Sequence, residues 1–326
     1  MIKKTILLLF IIMSVSYCNS QNKNNAEMDK IINEIASQLV TFKDKPSYHA
    51  SINTSACSFE FLVNDMPVLS YYNKGGIATS VPINPQILKS GIQTFTIKLY
   101  PGYYKENKQL IQADSLTKDT KFNLSFSHKD WSNLGEESKI DFEFSLPHTI
   151  TESGIKEFKL AGSPYFEYEG TFNADVPYSL KGWKESVDLT QENQEDLEIE
   201  VVNAYMELRN KFQDKNIKDI IVFNKVKLIE RLQSIYSSEK NDVLEVIDDY
   251  SENFDNSLFH LKPIENYKLY FFGDGKTVCL LRTDLKNKRE PVIRIGYTNE
   301  KGKKRLSFYG FTFHRPVKRG PLVPIR

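Results

Sequence analysis

The residues that build metal, redox and nucleophile sites are scarce in this sequence. Its 326 residues include three cysteines and five histidines, and these form neither a CxxC pair nor an HExxH motif. No glycine-rich phosphate loop precedes a predicted helix, and the GxSxG nucleophile motif does not occur. We therefore expect no metal, no cofactor and no catalytic residue, and interpret the protein as a non-enzyme.

Excess charge and long apolar runs are also lacking. The formal net charge is +1 at pH 7, so bulk nucleic-acid binding has no electrostatic support. The longest apolar run is ILLLFIIM at positions 6–13, which is far shorter than the roughly 20 residues that a membrane-spanning helix needs. The composition instead has 40% hydrophobic and 12% aromatic residues, which is typical of a globular chain rich in β-structure.

The N-terminus has the pattern of a secretory signal peptide over residues 1–20. Two lysines precede the apolar run, and the small and polar stretch SVSYCNSQ follows it. Two processing routes are open: cleavage after Ser20, or lipid attachment at Cys18, since VSYC resembles a bacterial lipobox. We therefore predict an exported protein that is periplasmic, or that is anchored in the envelope and contacts the membrane only through a lipid on Cys18.

The other two cysteines, Cys57 and Cys279, are expected to be buried free thiols. Cys57 shares strand parity with Phe59 and Phe61, which places it in the core of one domain, and Cys279 lies on a predicted strand of another. An oxidising compartment permits a disulfide, but two side chains in separate cores do not meet.

Residues 21–46 are predicted to form an amphipathic helix and a linker. Over 26–42 the apolar side chains recur at helical spacing, and Pro46 disfavours helix in the residue before it. We expect this helix to pack on a domain that follows; the alternative is a free helix that binds a partner.

Residues 47–178 alternate between apolar and polar side chains with a period of two, which is typical of antiparallel sheets with one wet face. Turn residues separate about seven such segments over about 130 residues, which favours an immunoglobulin-like β-sandwich. The clearest segments are residues 58–63, 94–99, 122–126, 140–146 and 166–168.

Residues 179–196 are predicted to be a linker, with Trp183 at the seam between two domains. Residues 197–326 then form an α+β domain, in which helices pack on a four-stranded antiparallel meander. The predicted elements are helices over 197–212, 217–235 and 243–254, and strands over 267–272, 277–282, 291–297 and 305–313.

This order of helices and strands over 197–313 resembles the nuclear-transport-factor-like cone fold, in which helices cap a curved antiparallel sheet. The resemblance implies a pocket lined by Tyr205, Phe223, Tyr236 and Arg294. Under this alternative, the C-terminal domain binds a small ligand or is an enzyme.

Bases are concentrated near the C-terminus, where residues 286–326 carry twelve bases and two acids. This distribution predicts a basic face that attracts an acidic protein partner or an anionic envelope surface. The alternative is that these bases neutralise the seven acids of the helix at residues 239–256, or that the charges are simply solvated. The candidate face consists of Arg294, Lys303, Lys304, Arg305, Arg315 and Arg319.

Two stretches resemble exported proteins of Gram-negative bacteria. One is FHRP followed by GPL and IR at 313–326, and the other is VPIN followed by SG at 81–91. Some proteins of this kind are immunity proteins, so the resemblance implies a non-catalytic binding protein that neutralises a periplasmic toxin. The remaining alternative is an envelope structural or assembly factor.

Overall fold

A computed structural model of the chain describes residues 26–133, 135–255, 259–284, 288–299 and 301–326. The predicted signal peptide and Cys18 lie outside these residues. The described part is mostly β, with five α-helices and several antiparallel sheets.

Helix α1 covers residues 26–36 and is not a free helix. Its apolar side chains Ile32 and Ile35 are 3% and 0% exposed and belong to the same buried cluster as helix side chains that follow residue 194. The helix ends at residue 36, earlier than predicted, and the backbone at Val40 is bonded to Gln233. The Gln233 side chain accepts from Val40 N at 2.7 Å and donates to Val40 O at 2.9 Å.

Residues 46–178, the N-terminal part, form strands where alternation predicts them. Two four-stranded antiparallel sheets have the orders β4-β1-β8-β9 and β12-β5-β2-β3, and two short hairpins join β6 to β7 and β10 to β11. The strands are β1 Pro46–Ser55, β2 Cys57–Val63, β3 Met66–Tyr71, β4 Ala78–Pro82, β5 Gly91–Pro101, β6 Tyr103–Glu106, β7 Gln109–Gln112, β8 Lys121–Asp130, β9 Lys139–Ser145, β10 His148–Ile150, β11 Lys156–Phe158 and β12 Phe166–Ala174.

Alternate side chains of both four-stranded sheets share one aromatic core. Phe61 and Phe95 from one sheet and Phe126 from the other are completely buried. The rings of Phe95 and Phe126 meet edge to face, with their centroids 5.0 Å apart, which is a favoured geometry for aromatic pairs.

Strand β2 departs from the predicted alternation, because all of its residues are buried. Ser58, Glu60 and Leu62, which were expected to face solvent, are 0%, 5% and 2% exposed. The face that carries them is covered by residues from the C-terminal end of the chain. The period-two pattern therefore located the strand, but the prediction that one face of this strand is exposed to solvent was wrong.

Residues 194–326, the C-terminal part, begin with four helices: α2 Gln194–Gln213, α3 Ile217–Phe223, α4 Lys225–Ser234 and α5 Lys240–Asp255. The Asn193 and Asn216 side chains accept hydrogen bonds from the first turns of α2 and α3, as N-cap residues do. The predicted single helix over 217–235 is two helices. Asn224 separates them, and its side chain donates to the Ile220 carbonyl at 2.8 Å.

The C-terminal strands form two sheets instead of the predicted single meander, with the orders β13-β16-β17 and β14-β15-β18-β19. The predicted strand over 305–313 is interrupted at residues 310–312. Beyond the interruption Phe313 pairs with Val278 of another sheet. The strands are β13 His260–Leu261, β14 Tyr267–Phe272, β15 Thr277–Arg282, β16 Ile293–Thr298, β17 Lys304–Tyr309, β18 Phe313–His314 and β19 Val323–Pro324.

A third buried cluster joins the N-terminal and C-terminal parts. Trp183 is 1% exposed and lies in it, together with Leu62 and Met66 from one part and Phe272 and Ile325 from the other. The segment 179–193 is also bonded to the C-terminal part, since Leu189 N donates to Gly275 O at 2.9 Å.

Candidate functional site

A cavity of about 720 Å³ lies where the two parts meet, and we call it the inner cavity. Its volume is in the range of small-molecule sites. Strands β2 and β3 line it on one side, and α4, β15 and residues 308–312 line it on the other. Much of its wall is apolar, including Leu62, Met66, Phe272, Leu281, Phe308 and Phe311.

One wall of the inner cavity is cationic. Lys227 and Arg231 lie four residues apart on α4 and thus on one helix face, and Arg326 adjoins them. Within the described ranges neither Lys227 nor Arg231 has an ion-pair partner, whereas Arg326 Nη1 lies 3.1 Å from the Glu230 carboxylate. Positive charge therefore exceeds negative charge on this wall.

The Lys227 side chain is half-buried and its ammonium lies against this wall. It donates to the Gly310 carbonyl and lies 4.3 Å from the centroid of the Phe311 ring. Burial, together with the positive charges of Arg231 and Arg326, lowers the pKa of Lys227 to about 7. Removal from water and neighbouring like charges both disfavour the protonated amine.

The opposite wall is electrostatically compensated. Arg289 Nε donates to Glu60 Oε1 at 2.6 Å, and the Arg289 guanidinium lies 3.7 Å from the centroid of the Tyr270 ring. The Tyr72 hydroxyl also donates to Glu60, and the pKa of Tyr72 is raised by burial and by this carboxylate. Both donors therefore contact the same carboxylate oxygen, Glu60 Oε1.

A wider depression of about 970 Å³ opens beside the inner cavity and shares Glu290 and Phe308 with it. We call it the outer groove. It runs between the β6–β7 hairpin and the β13-β16-β17 sheet. Its five cations are Lys105, Lys108, Lys262, Lys304 and Arg305.

The outer groove is chemically suited to a partner that carries both acidic and apolar groups. Glu290 supplies the one carboxylate among its described lining residues. Leu306 and Phe308 are 39% and 42% exposed and lie between the bases. Exposed apolar side chains can contribute contact area to a protein interface, and the surrounding bases complement an acidic partner.

The structure divides the predicted interaction face. Lys303, Lys304, Arg305 and Arg319 are exposed, and two of these, Lys304 and Arg305, line the outer groove. The inclusion of Arg294 and Arg315 was wrong, because these side chains are 5% and 6% exposed.

The two buried arginines face carboxylates of the segment 179–193 and of the C-terminal part. Arg315 Nε lies 2.9 Å from Glu192 and Arg315 Nη2 lies 2.6 Å from Glu200, while Arg294 Nη2 lies 3.8 Å from Glu265. The alternative expectation concerned the acids of residues 239–256, and Arg315 pairs instead with Glu192 and Glu200.

The predicted pocket residues do not converge. Tyr205 lines the inner cavity, and its hydroxyl donates to Phe311 O at 2.5 Å and accepts from Leu280 N at 3.2 Å. Tyr236 instead belongs to the aromatic core of the N-terminal part, where its hydroxyl donates to Pro46 O at 2.7 Å. Phe223 packs 6.2 Å from the Phe313 ring and is not a cavity residue.

Sequence reasoning missed the cations of the inner cavity. The available signal was the spacing of Lys227 and Arg231, which flank the buried side chains Leu228 and Leu232 on α4. That spacing places two bases on one helix face. It carries no information on Arg326, which reaches the same wall from almost 100 residues further along the chain.

Cys57 and Cys279 are free and buried, as predicted. They lie in different clusters. Burial raises the pKa of each thiol to about 12. Both are therefore protonated near neutral pH, and the thiol is a poor nucleophile.

Within the described residues no group of three or more His, Cys, Asp or Glu side chains is placed to hold a metal ion. No helix in the same ranges combines the length and the apolar character needed to cross a bilayer. Comparison of the chain with protein-family models, with curated proteins and with solved structures finds no match.

Proposed function

We propose that this chain is an exported, non-catalytic binding protein of the bacterial envelope that docks an acidic protein partner in its outer groove. The observation that carries the proposal is the groove itself, in which five cations face one carboxylate around Leu306 and Phe308. The most specific form of this proposal is that the chain is an immunity protein whose partner is a periplasmic toxin.

The proposal includes a two-domain organisation. The sheets of residues 47–178 form an immunoglobulin-like β-sandwich, and residues 197–326 form an α+β domain behind them. The outer groove then lies between domains, with Lys105 and Lys108 on one and Lys304 and Arg305 on the other. A partner that fills the groove contacts both and fixes their arrangement.

Charge complementarity favours an acidic segment as the occupant. Opposite potentials raise the association rate and exclude basic competitors. The exposed Leu306 and Phe308 side chains supply apolar area for the centre of the interface, where most binding energy is concentrated. The partner surface is therefore expected to carry several Asp or Glu residues around one aliphatic or aromatic side chain.

The test begins with capture of proteins from the envelope of the native bacterium at low salt. The candidate partner is then purified, and its affinity is measured by titration calorimetry. The double variant Lys304→Glu/Arg305→Glu should weaken binding at least about 100-fold, because it reverses two groove charges. The matched control is Lys318→Glu/Arg319→Glu, which reverses two exposed bases outside the groove and should change affinity less than about threefold.

Three results would contradict the proposal: no acidic partner binds, both double variants weaken binding equally, or the affinity does not depend on salt. The immunity version further requires that the partner arrests growth when it is exported without this chain. A growth defect on deletion, in cells that lack any such partner, would instead support an assembly factor. The mass of the mature N-terminus distinguishes cleavage after Ser20 from lipidation at Cys18.

A further inference from the structure

We propose that the inner cavity binds an anionic amphiphile, which is a small molecule with one carboxylate or phosphate group on an apolar body. This site adjoins the outer groove, with which it shares Glu290 and Phe308, and the proposal does not depend on a protein partner. Two features of the cavity carry it: an uncompensated cluster of cations on one wall and an apolar surface over much of the rest.

The cationic wall defines the position of the anionic group. Lys227 and Arg231 point from one face of α4, and no ion-pair partner of either is present in the described part of the chain. Arg326 Nη2 is buried and has no hydrogen-bond partner there. A buried donor without an acceptor is costly, and an anion between these three side chains supplies acceptors to all of them.

The opposite wall does not compete for that anionic group. Arg289 is already bound to Glu60 and packs on Tyr270. Lys288 lies 4.7 Å from the centroid of the Tyr72 ring. A second carboxylate, that of Glu290, also faces the cavity from this side. This wall therefore carries two acids, Glu60 and Glu290, and two bases, Lys288 and Arg289, whereas the wall of α4 has an excess of positive charge that attracts an anion.

The rest of the cavity is suited to an apolar body. Leu62 and Met66 from β2 and β3 face Phe272 and Leu281 from β14 and β15. A volume of about 720 Å³ exceeds what a phosphate or other simple inorganic anion fills. Burial of apolar ligand surface here contributes about 25 cal/mol per Å². The ligand is thus expected to be an alkyl or aromatic anion.

Binding is expected to depend on pH through Lys227. The groups that face its ammonium are Arg231 on the same helix, Arg326, the Gly310 carbonyl and the Phe311 ring. In the free cavity the two arginines and burial lower the pKa of Lys227 to about 7. A bound anion raises that pKa again, so affinity is highest below about pH 7 and falls as the pH rises above it.

The experiment measures four probes by titration calorimetry below their micelle concentrations: dodecanoate, dodecyl phosphate, dodecanol and dodecylammonium. One dodecanoate or dodecyl phosphate per chain should bind at least about tenfold more tightly than dodecanol or dodecylammonium, which is a factor that one charge interaction supplies. Whichever anion binds more tightly identifies the preferred head group. Similar affinities for all four probes, or no binding, would overturn the proposal.

Variants locate the site. Lys227→Met and Arg231→Gln should each weaken dodecanoate binding at least about tenfold, and Lys227→Met should also remove the loss of affinity between about pH 7 and pH 9. The matched control is Lys225→Met on the same helix. The Lys225 ammonium pairs with exposed Glu34 instead of facing the cavity, so this variant should leave the affinity for dodecanoate unchanged. Equal effects of all three variants would refute the assignment.

Two further measurements keep the result interpretable. Thermal unfolding shows whether each variant is folded, so that loss of binding is not loss of structure. The groove variant Lys304→Glu/Arg305→Glu should retain dodecanoate binding. Retention shows that the inner cavity acts separately from the outer groove, and joint loss would contradict two separate sites.

Discussion

Arg289 and Glu60 form a buried ion pair between the C-terminal and N-terminal parts. The two residues are 229 positions apart in the chain, yet Arg289 Nε lies 2.6 Å from Glu60 Oε1. Their side chains are 16% and 7% exposed. Desolvation of both charges limits the net stability of such a pair, but loss of one partner leaves the other charge buried.

The first prediction concerns this pair. Glu60→Gln should reduce the free energy of unfolding by about 3 kcal/mol, because the Arg289 charge loses its counter-ion in a buried site. Urea denaturation measures the change. The control is Glu157→Gln, whose partner Lys118 has a side chain that is 64% exposed, and it should cost less than about 1 kcal/mol. Equal losses of unfolding free energy in the two variants would show that the buried pair contributes no more to stability than an exposed pair.

The second prediction concerns Arg315, which the sequence placed on the surface. Its guanidinium contacts both Glu192 and Glu200 and also donates to the Gly320 carbonyl. Arg315→Lys should therefore lower the free energy of unfolding by about 2 kcal/mol, because an ammonium group does not reproduce the several hydrogen bonds that the planar guanidinium donates. Arg319→Lys is the matched control at an exposed position nearby, and a comparable loss there would contradict the account.

The third prediction is a pH dependence that originates at His314. The Nδ1 atom is 2.7 Å from Ser186 Oγ, and Nε2 is buried without a partner among the described residues. Burial, with smaller contributions from Arg326 and Lys181, lowers the pKa of His314 to about 4. In the unfolded chain the pKa is about 6.5.

The direction of the effect follows from these two pKa values. Between about pH 6.5 and pH 4 the unfolded chain binds a proton that the folded chain does not, so stability falls as the pH falls. Relative to His314→Gln, the wild-type protein should lose about 2–3 kcal/mol between pH 7 and about pH 4.5. Urea midpoints at both pH values test this, and parallel pH profiles of the two proteins would contradict it.

The fourth prediction concerns thiol reactivity. In a Cys18→Ser variant, Cys57 and Cys279 should not react with Ellman's reagent while the protein is folded, because both thiols are buried and have a pKa of about 12. Both should react when urea unfolds the chain. Lys318→Cys in the same background supplies an exposed thiol as a positive control. Rapid labelling of either buried cysteine in the native state would be inconsistent with the structure.

Much of the secondary structure was predictable because its signals are local. The alternation of Phe95, Ile97 and Leu99 identified β5, and the helical spacing that begins at Ile217 identified the start of α3. The break at Asn224 was missed, since the apolar spacing continues across it. The interruption at residues 310–312 was missed for a similar reason: β-type alternation persists while the pairing partner changes from Ile293 to Val278.

Local sequence patterns are enough to locate most strands and helices and the starts of several helices, because these depend on neighbours a few residues away. Which bases are exposed and which line a cavity follows from contacts between distant parts of the chain. The counter-ion of Arg315 lies 123 positions away in Glu192, and that of Arg326 lies 96 positions away in Glu230. Burial and charge compensation depend on such distant partners, and periodicity along the chain does not encode them.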